Sequence, residues 1–291
     1  MKTILLPGSR KGYGSTQHFA HFFYEYFLPL VSWRLHNNTM PVIVKDCGPC
    51  NAWLQLLAED EAPIQIIKKQ DFLKAIKEKP EISLNLSSSY IPRRGWNPSN
   101  VHSFRLWAWS KATQRIVIKG IMVKRSKTIP FYTSSKSERK GSGSTRRFIE
   151  NQQNISRIIQ IFCGIETVEF FDISPQDTIN LLKSSSIFIA QRGAALMNLF
   201  ILPPGALVIE IIPKSFAKQD NIDIYKDAAF TAQLSYARIW QKNNFSSVQI
   251  LSILLAIYNY KAKHTIKKTL MELLNRTHLF KKHLQSKFTD S

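Results

Sequence analysis

The sequence predicts an α/β protein made of two halves, each a parallel β-sheet with helices packed on it. Three observations predict it. Short stretches rich in β-branched and other apolar residues alternate with segments whose apolar residues recur at helical spacing, the pattern of successive βα units. The chain has 291 residues and 44% hydrophobic content, enough for two domains of ordinary size. The least structured stretch, 133–145, falls near the middle, with seven Ser or Thr and two Gly among its thirteen residues.

Taken in order, the chain opens with the β-branched apolar run Thr3-Ile-Leu-Leu6, a strand, and 40–45, 64–67 and 81–86 repeat that pattern. Between them 18–34, 51–59 and 71–77 carry helical spacing, and 101–122 reads as one long amphipathic segment bearing Trp107 and Trp109. In the second half, strands are expected at 128–133, 167–171, 186–190, 206–212 and 234–240, and helices at 152–163, 175–183, 194–202 and 221–230. Beyond Trp240 the chain reads as helix to its end. No short repeat of solenoid type is present. A join near 123–127 gives two α/β halves, with a ligand expected in the crevice at the carboxyl ends of the strands.

Lys and Arg number 40 against 20 acidic residues, a net charge of +20, which favours polyanionic partners: nucleic acid, an acidic membrane surface or phosphate-bearing substrates. That charge is clustered. Lys124 to Arg147 holds eight basic residues and one acid, Glu138, while Lys261 to Ser291 holds eight basic and two acidic residues. The tail reads as a solvated face of terminal helices, whereas the first cluster, set among glycines and serines, suits phosphate. Three cysteines are too few for a disulfide framework and suggest a reducing compartment. The apolar stretch before Pro7-Gly8 is too short for a signal peptide, and no run of 18 or more apolar residues occurs. A soluble, cytoplasmic protein is expected, with peripheral membrane contact through its basic faces.

Cys47-Gly-Pro-Cys50 has the spacing of a redox dithiol and lies between an expected strand and an expected helix. Asp46, just before it, would disfavour a thiolate, so a turn that holds two cysteines is the favoured reading. No pattern of metal-ligand spacing stands out. The stretch Phe188-Ile-Ala-Gln-Arg-Gly-Ala-Ala-Leu-Met-Asn-Leu-Phe200 carries more chemistry. Gly193 and Ala194 leave the start of the expected helix sterically open, so its unpaired N–H groups, with about half a positive charge of helix dipole, can approach an anion. The alternative is a tight turn whose small residues serve packing alone. Pro203-Pro-Gly205 ends the helix, and the apolar strand that follows carries one carboxylate, Glu210. Such an acid is costly to bury without hydrogen bonds, which the sugar hydroxyls of a nucleotide would supply.

These residues resemble glycosyltransferase family 61. Arg192-Gly193-Ala194-Ala195-Leu196-Met197-Asn198, then Phe200, Pro203, Pro204, Gly205, Glu210 and Ile211, is similar to the family's small-residue motif and the Glu-Ile strand after it. Three positions depart from the motif: Arg192 stands in place of a histidine, Ala195 of a glycine and Met197 of a threonine. Arg139 and Arg146-Arg-Phe-Ile-Glu-Asn151 resemble the family's arginine-bearing element before Ile-x-Asn. His21-Phe-Phe-Tyr-Glu25 with Pro29 resembles its His-Phe-x-x-Glu helix, with one residue more between Glu25 and Pro29.

The resemblance implies a GT-B architecture, two Rossmann-like domains facing a central cleft. They would be an acceptor-side domain at 1–125 and a nucleotide-sugar-binding domain at 126–245, with C-terminal helices at 246–291 packing back on the first. It also implies an inverting, metal-independent transfer from a UDP-sugar to a hydroxyl of a glycan or glycoconjugate, without a cofactor. UDP-xylose is the first expectation for the donor and N-acetylglucosamine the alternative sugar. His21 and Glu25, at i and i+4 on one helical face, are the expected general base. Arg139, Arg146 and Arg147 are expected to clamp the leaving diphosphate. Arg192, Gly193, Ala194, Ala195 and Asn198 would complete the donor site, and Glu210 would hold the ribose. Arg93, Arg94 and Trp96 could face the acceptor. The rival class is a basic nucleic-acid-binding protein whose Lys and Arg track phosphates. Aromatics at core-like positions, rather than among the basic clusters, argue against it.

Overall fold

The computed structural model describes residues 3–6, 15–37, 39–59, 63–91, 95–114, 116–125, 129–135, 137, 146–171 and 173–266. In its first half, β1 (Thr3–Leu6), β2 (Val42–Lys45), β3 (Ile64–Ile67) and β4 (Ser83–Asn85) form a sheet in the order β3-β2-β1-β4, every pairing parallel. The connections are helical: α1 (Phe19–Phe22) runs through a π-helical turn, Phe23–Phe27, into α2 (Leu28–His36), and α3 (Asn51–Ala58) and α4 (Lys69–Glu78) follow. A short antiparallel hairpin, β5 (Tyr90–Ile91) and β6 (Gly95–Trp96), leads to α5 (Pro98–Ser110). Asn97 caps that helix through its side-chain oxygen, and Pro98 follows at its first position, where a missing N–H costs nothing.

The second half winds β7 (Gly120–Val123), α6 (Gln152–Cys163), β8 (Ile165–Val168), α7 (Pro175–Lys183), β9 (Ile187–Gln191), β10 (Leu207–Pro213), α8 (Ile224–Thr231) and β11 (Ser235–Gln241). Its five strands are all parallel in the order β11-β10-β9-β7-β8. Every residue of β9 and β10 is buried, which explains why both are apolar apart from Gln191 and Glu210: a parallel strand covered on both faces has no polar side to alternate with. Residues Met1–Val248 make one compact unit that contains both sheets. Gln249–Ser291 make a second, in which 250–266 are helical with Ile253 and Ile257 buried. Among the described residues, no helix is long and apolar enough to cross a membrane.

Several expectations need correction. The segment 101–122 is not one amphipathic element: α5 stops at Ser110, and Gly120–Val123 is a strand between β8 and β9. Ile118, Ile121 and Met122 happen to continue the helical spacing of Phe104, Trp107 and Ala108, so periodicity alone misassigned them. Gly120 is obligatory there, because a Cβ on it would lie 2.6 Å from the Ile187 carbonyl oxygen of the neighbouring strand. The expected strand at 128–133 is, where described, a 3-10 turn over Pro130–Thr133, started by a proline that cannot donate to a ladder. The strand expected at 167–171 begins earlier, at Ile165, directly after Gly164 closes α6 in the left-handed conformation with φ of 66°. Residues 242–249 are not helical.

One aromatic cluster positions the site. Phe23 meets Phe104 edge-on at 4.8 Å and lies parallel to Phe200 at 6.4 Å, and Trp96 meets Phe200 at 4.8 Å. Pairs of this kind contribute roughly 0.5–1.5 kcal/mol each beyond their buried area. They hold α1 and its π-helical turn against the segment Ala194–Ile201. The helix bearing His21 and Glu25 is thereby fixed beside the small-residue motif.

Candidate active site

In the second sheet the chain steps from β7 to β8 on one side, then crosses to β9, β10 and β11 on the other. The strand order therefore reverses between β7 and β9, and in open α/β sheets that reversal opens a crevice at the carboxyl ends of the two strands. The residues that emerge there are Lys124-Arg125 after β7 and Arg192-Gly193 after β9. Arg125 Nη2 donates to the Arg192 carbonyl, tying the two ends together.

Three arginines converge on this crevice. Arg192 is 3% exposed, and its Nη1 donates to Glu210 Oε1 at 2.8 Å and to the Ile222 carbonyl at 3.0 Å. Arg147 and Arg192 place their guanidinium carbons 4.9 and 5.1 Å from the Phe216 ring. Arg147 Nη1 is buried and has no hydrogen-bond partner among the described residues. Burial, and then the charge of Arg146, push the Arg147 guanidinium below its usual value. Burial together with Arg147 and Arg146 brings that of Arg125 down to about 10. Glu210, the carboxylate among them, is fully buried and engaged by Arg192, by the Tyr236 hydroxyl and by Arg238 at 3.7 Å. Among the described residues the crevice thus gathers Arg125, Arg147 and Arg192 around one carboxylate, Glu210, an arrangement that an anion would relieve.

The expected helix at 194–202 is instead a 3-10 helix, Ala194–Ile201. Asn198 Nδ2 donates to the Ala195 carbonyl at 3.1 Å, competing for an acceptor that the α-helical pattern would give to a backbone N–H. The Asn198 side chain is turned inward at 3% exposure, with Oδ1 buried and without a partner among the described residues. Gly193, Ala194 and Ala195 are half-buried; the first N–H groups of a helix have no intrahelical acceptor, and among the described residues no side chain caps them here. Gly193 has φ of 156°, and a Cβ there would stand 2.1 Å from Arg125 Nη2. Tyr225 donates to the Gly193 carbonyl at 2.8 Å, and burial raises its phenol to about 12, so it remains a donor.

On the facing helix, His21 Nδ1 lies 3.0 Å from Glu25 Oε1 and 2.7 Å from the Tyr24 hydroxyl. Glu25 is 2% exposed and its Oε2 has no hydrogen-bond partner among the described residues. A buried carboxylate demands a donor, which selects the tautomer with the proton on Nδ1 and leaves Nε2 able to accept one. Burial and the Glu25 charge drive the Tyr24 phenol far above its ordinary value, so it too stays protonated. Glu25 sits within the π-helical turn Phe23–Phe27, and a π-turn accommodates one extra residue in a helix. That accounts for the longer interval between Glu25 and Pro29.

The other expected residues divide. Arg139, Arg93 and Arg94 lie outside the described residues, while Arg146 is exposed. Trp96 is a core anchor rather than an exposed platform: it is 5% exposed and its Nε1 donates to the Ile224 carbonyl at 2.9 Å. Glu210 faces protein partners where nucleotide hydroxyls were expected, because Arg192 in the histidine position supplies the donor that the buried acid needs. Cys47 and Cys50 are buried free thiols, and burial, with Cys47 adjacent, lifts the Cys50 thiol well above its usual value. Asp46 caps their turn by accepting from the Gly48 N–H and Asn51 Nδ2. Arg125 escaped the sequence reading; its signal was membership of the basic cluster from Lys124 to Arg147. Among the described residues, no group of three or more His, Cys, Asp and Glu is positioned to hold a metal ion.

A family model described as Glycosyltransferase 61 matches residues 19–209, from the start of α1 into β10. A search of curated proteins finds no match.

Proposed function

The chain belongs to glycosyltransferase family 61, and on that premise we propose that it is an inverting, metal-independent transferase moving a sugar from a UDP-sugar to a hydroxyl of a glycan acceptor. The observation that carries this reading is Arg147 Nη1, a buried cationic donor without a partner among the described residues, beside Arg125 at a strand-order reversal. A diphosphate is the anion that such a family brings to such a seat. The acceptor oxygen attacks the anomeric carbon while His21 Nε2 takes its proton, and Glu25 offsets the charge of the imidazolium that forms. The bond from the anomeric carbon to the diphosphate oxygen breaks, and the electron pair leaves with the diphosphate. Arg147, Arg146 and Arg125 then meet its charge, with the N–H groups of Ala194 and Ala195 and, by resemblance, Arg139. Arg192, Glu210 and Asn198 brace the floor of this seat.

In the same reading, 1–125 and 126–245 are the two Rossmann-like domains of a GT-B enzyme, a division supported by two separate parallel sheets, although β7 (Gly120–Val123) belongs to the second sheet and so moves the boundary ahead of it, and by the packing of α1 against Ala194–Ile201. UDP-xylose is the first donor to test and UDP-N-acetylglucosamine the second, an order that follows from resemblance alone. A cytoplasmic location, with basic faces touching a membrane that carries the acceptor, completes the proposal. The test is a donor panel scored by nucleoside diphosphate release, repeated with Arg147→Ala, which is expected to weaken donor use at least tenfold. Unchanged turnover in that variant removes Arg147 from the site. Thermal stabilisation by an oligonucleotide and not by UDP would favour nucleic-acid binding instead.

A further inference from the structure

A groove of about 580 Å³ opens among Glu150, Ser215, Asn243, Asn244, Phe245 and Ser246. Its walls follow directly on the carboxyl ends of β10 and β11, the same sheet edge as the arginine crevice. Two short links join groove and crevice. Arg147 is three residues from Glu150, and Ser215 adjoins Phe216, the ring against which Arg147 and Arg192 lie. The Phe148 N–H donates to the Asn244 carbonyl at 3.0 Å and its ring packs on Phe245 at 5.3 Å, so the strap from Arg147 to Glu150 is pinned to the groove wall.

We propose that this groove takes the nucleoside of the donor, with Glu150 on the ribose diol and Asn244 on the base. The inference rests on the nucleoside diphosphate reading of the arginine crevice and deepens it. Asn244 Oδ1 is buried without a hydrogen-bond partner among the described residues, an unpaired acceptor that a turn of the side chain brings into the groove to meet the ring N–H of uracil. Glu150 is exposed at the groove and takes one hydrogen bond from Ser247, at Oε2 and 2.8 Å, which orients the carboxylate. A carboxylate can accept from both hydroxyls of a ribose. β9 and β11 are two strand spacings apart, about 10 Å, which suits a nucleoside diphosphate whose phosphates rest at Arg147 and whose base reaches beyond β10. This gives Glu150 the ribose role that the sequence had suggested for the buried Glu210.

The experiment is calorimetric titration of the full chain with UDP and, separately, with inorganic pyrophosphate. Glu150→Gln, which keeps the side-chain shape and an acceptor for Ser247, and Asn244→Ala are compared with Arg147→Ala. The two groove variants are expected to weaken UDP about tenfold each, the size of one lost hydrogen bond to a charged or buried partner, and to leave pyrophosphate unchanged. Arg147→Ala is expected to weaken both ligands. UDP affinity within twofold of wild type in both groove variants overturns the proposal, as does a parallel loss of pyrophosphate. Failure of the wild-type chain to bind UDP or pyrophosphate defeats instead the diphosphate reading on which it rests.

Discussion

Glu210→Gln separates a structural carboxylate from one that serves a ligand. In the wild-type chain the Arg192–Glu210 contact is 2.8 Å long with side chains 4% and 0% exposed. At that distance the gross attraction is about 6 kcal/mol for an effective dielectric of 20. Removing one partner of such a pair leaves the other charge buried, and the measured cost of that is about 3–5 kcal/mol. Arg192 keeps the carbonyls of Asn221 and Ile222, which places the expected cost toward the lower end. Even that is a large share of a total stability of roughly 5–15 kcal/mol and corresponds to roughly 6–12 °C in Tm. Thermal and urea unfolding followed by circular dichroism read it directly. A second variant, Arg192→Met with Glu210→Leu, removes both charges and is expected to recover most of the loss. The reasoning fails if Glu210→Gln costs under about 1 kcal/mol while UDP affinity drops tenfold, for Glu210 would then be serving the nucleotide.

Three further outcomes are expected. His21→Ala should lower kcat by roughly 10²–10⁴ with little change in donor KM, and Glu25→Gln should lower it less, both measured by diphosphate release; a KM effect alone would take His21 out of proton transfer. Gly193→Ala should destabilise by about 1–3 kcal/mol and weaken pyrophosphate binding, because the new Cβ must displace the Arg125 guanidinium; an unaltered melting curve and titration would contradict this. Native protein should resist alkylation at Cys50, whose buried thiol is held protonated, with mass spectrometry locating any label; rapid native labelling at Cys50 would restore a redox reading of the pair.

Helices 152–163 and 175–183, and strands 3–6 and 64–67, were legible to the residue, because each is an amphipathic or β-branched run marked at one end by a proline or glycine: Gly164, Pro175, Pro7 and Pro63. Strand Gly120–Val123 was not, since helical spacing continued by coincidence into it and only pairing with β8 and β9 settles its state. The site divided in the same way. His21 and Glu25 share a helical face at i and i+4, so their meeting is local and could be read along the chain. Arg125 meets Arg192 across 67 residues, and a guanidinium on one strand end reveals nothing of which other strand end it will face.

By itself the sequence determined the α/β class, the family and the local chemistry of the Arg-Gly-Ala-Ala turn, because propensity, periodicity and motif spacing act within a few residues of chain. Tertiary structure alone decided that Glu210 is consumed by Arg192, that Trp96 is a core anchor, and that Arg147 keeps a buried donor with no partner among the described residues. The reason is physical: whether a charge is available depends on which partner the fold buries beside it, and in the second sheet that partner comes from another strand.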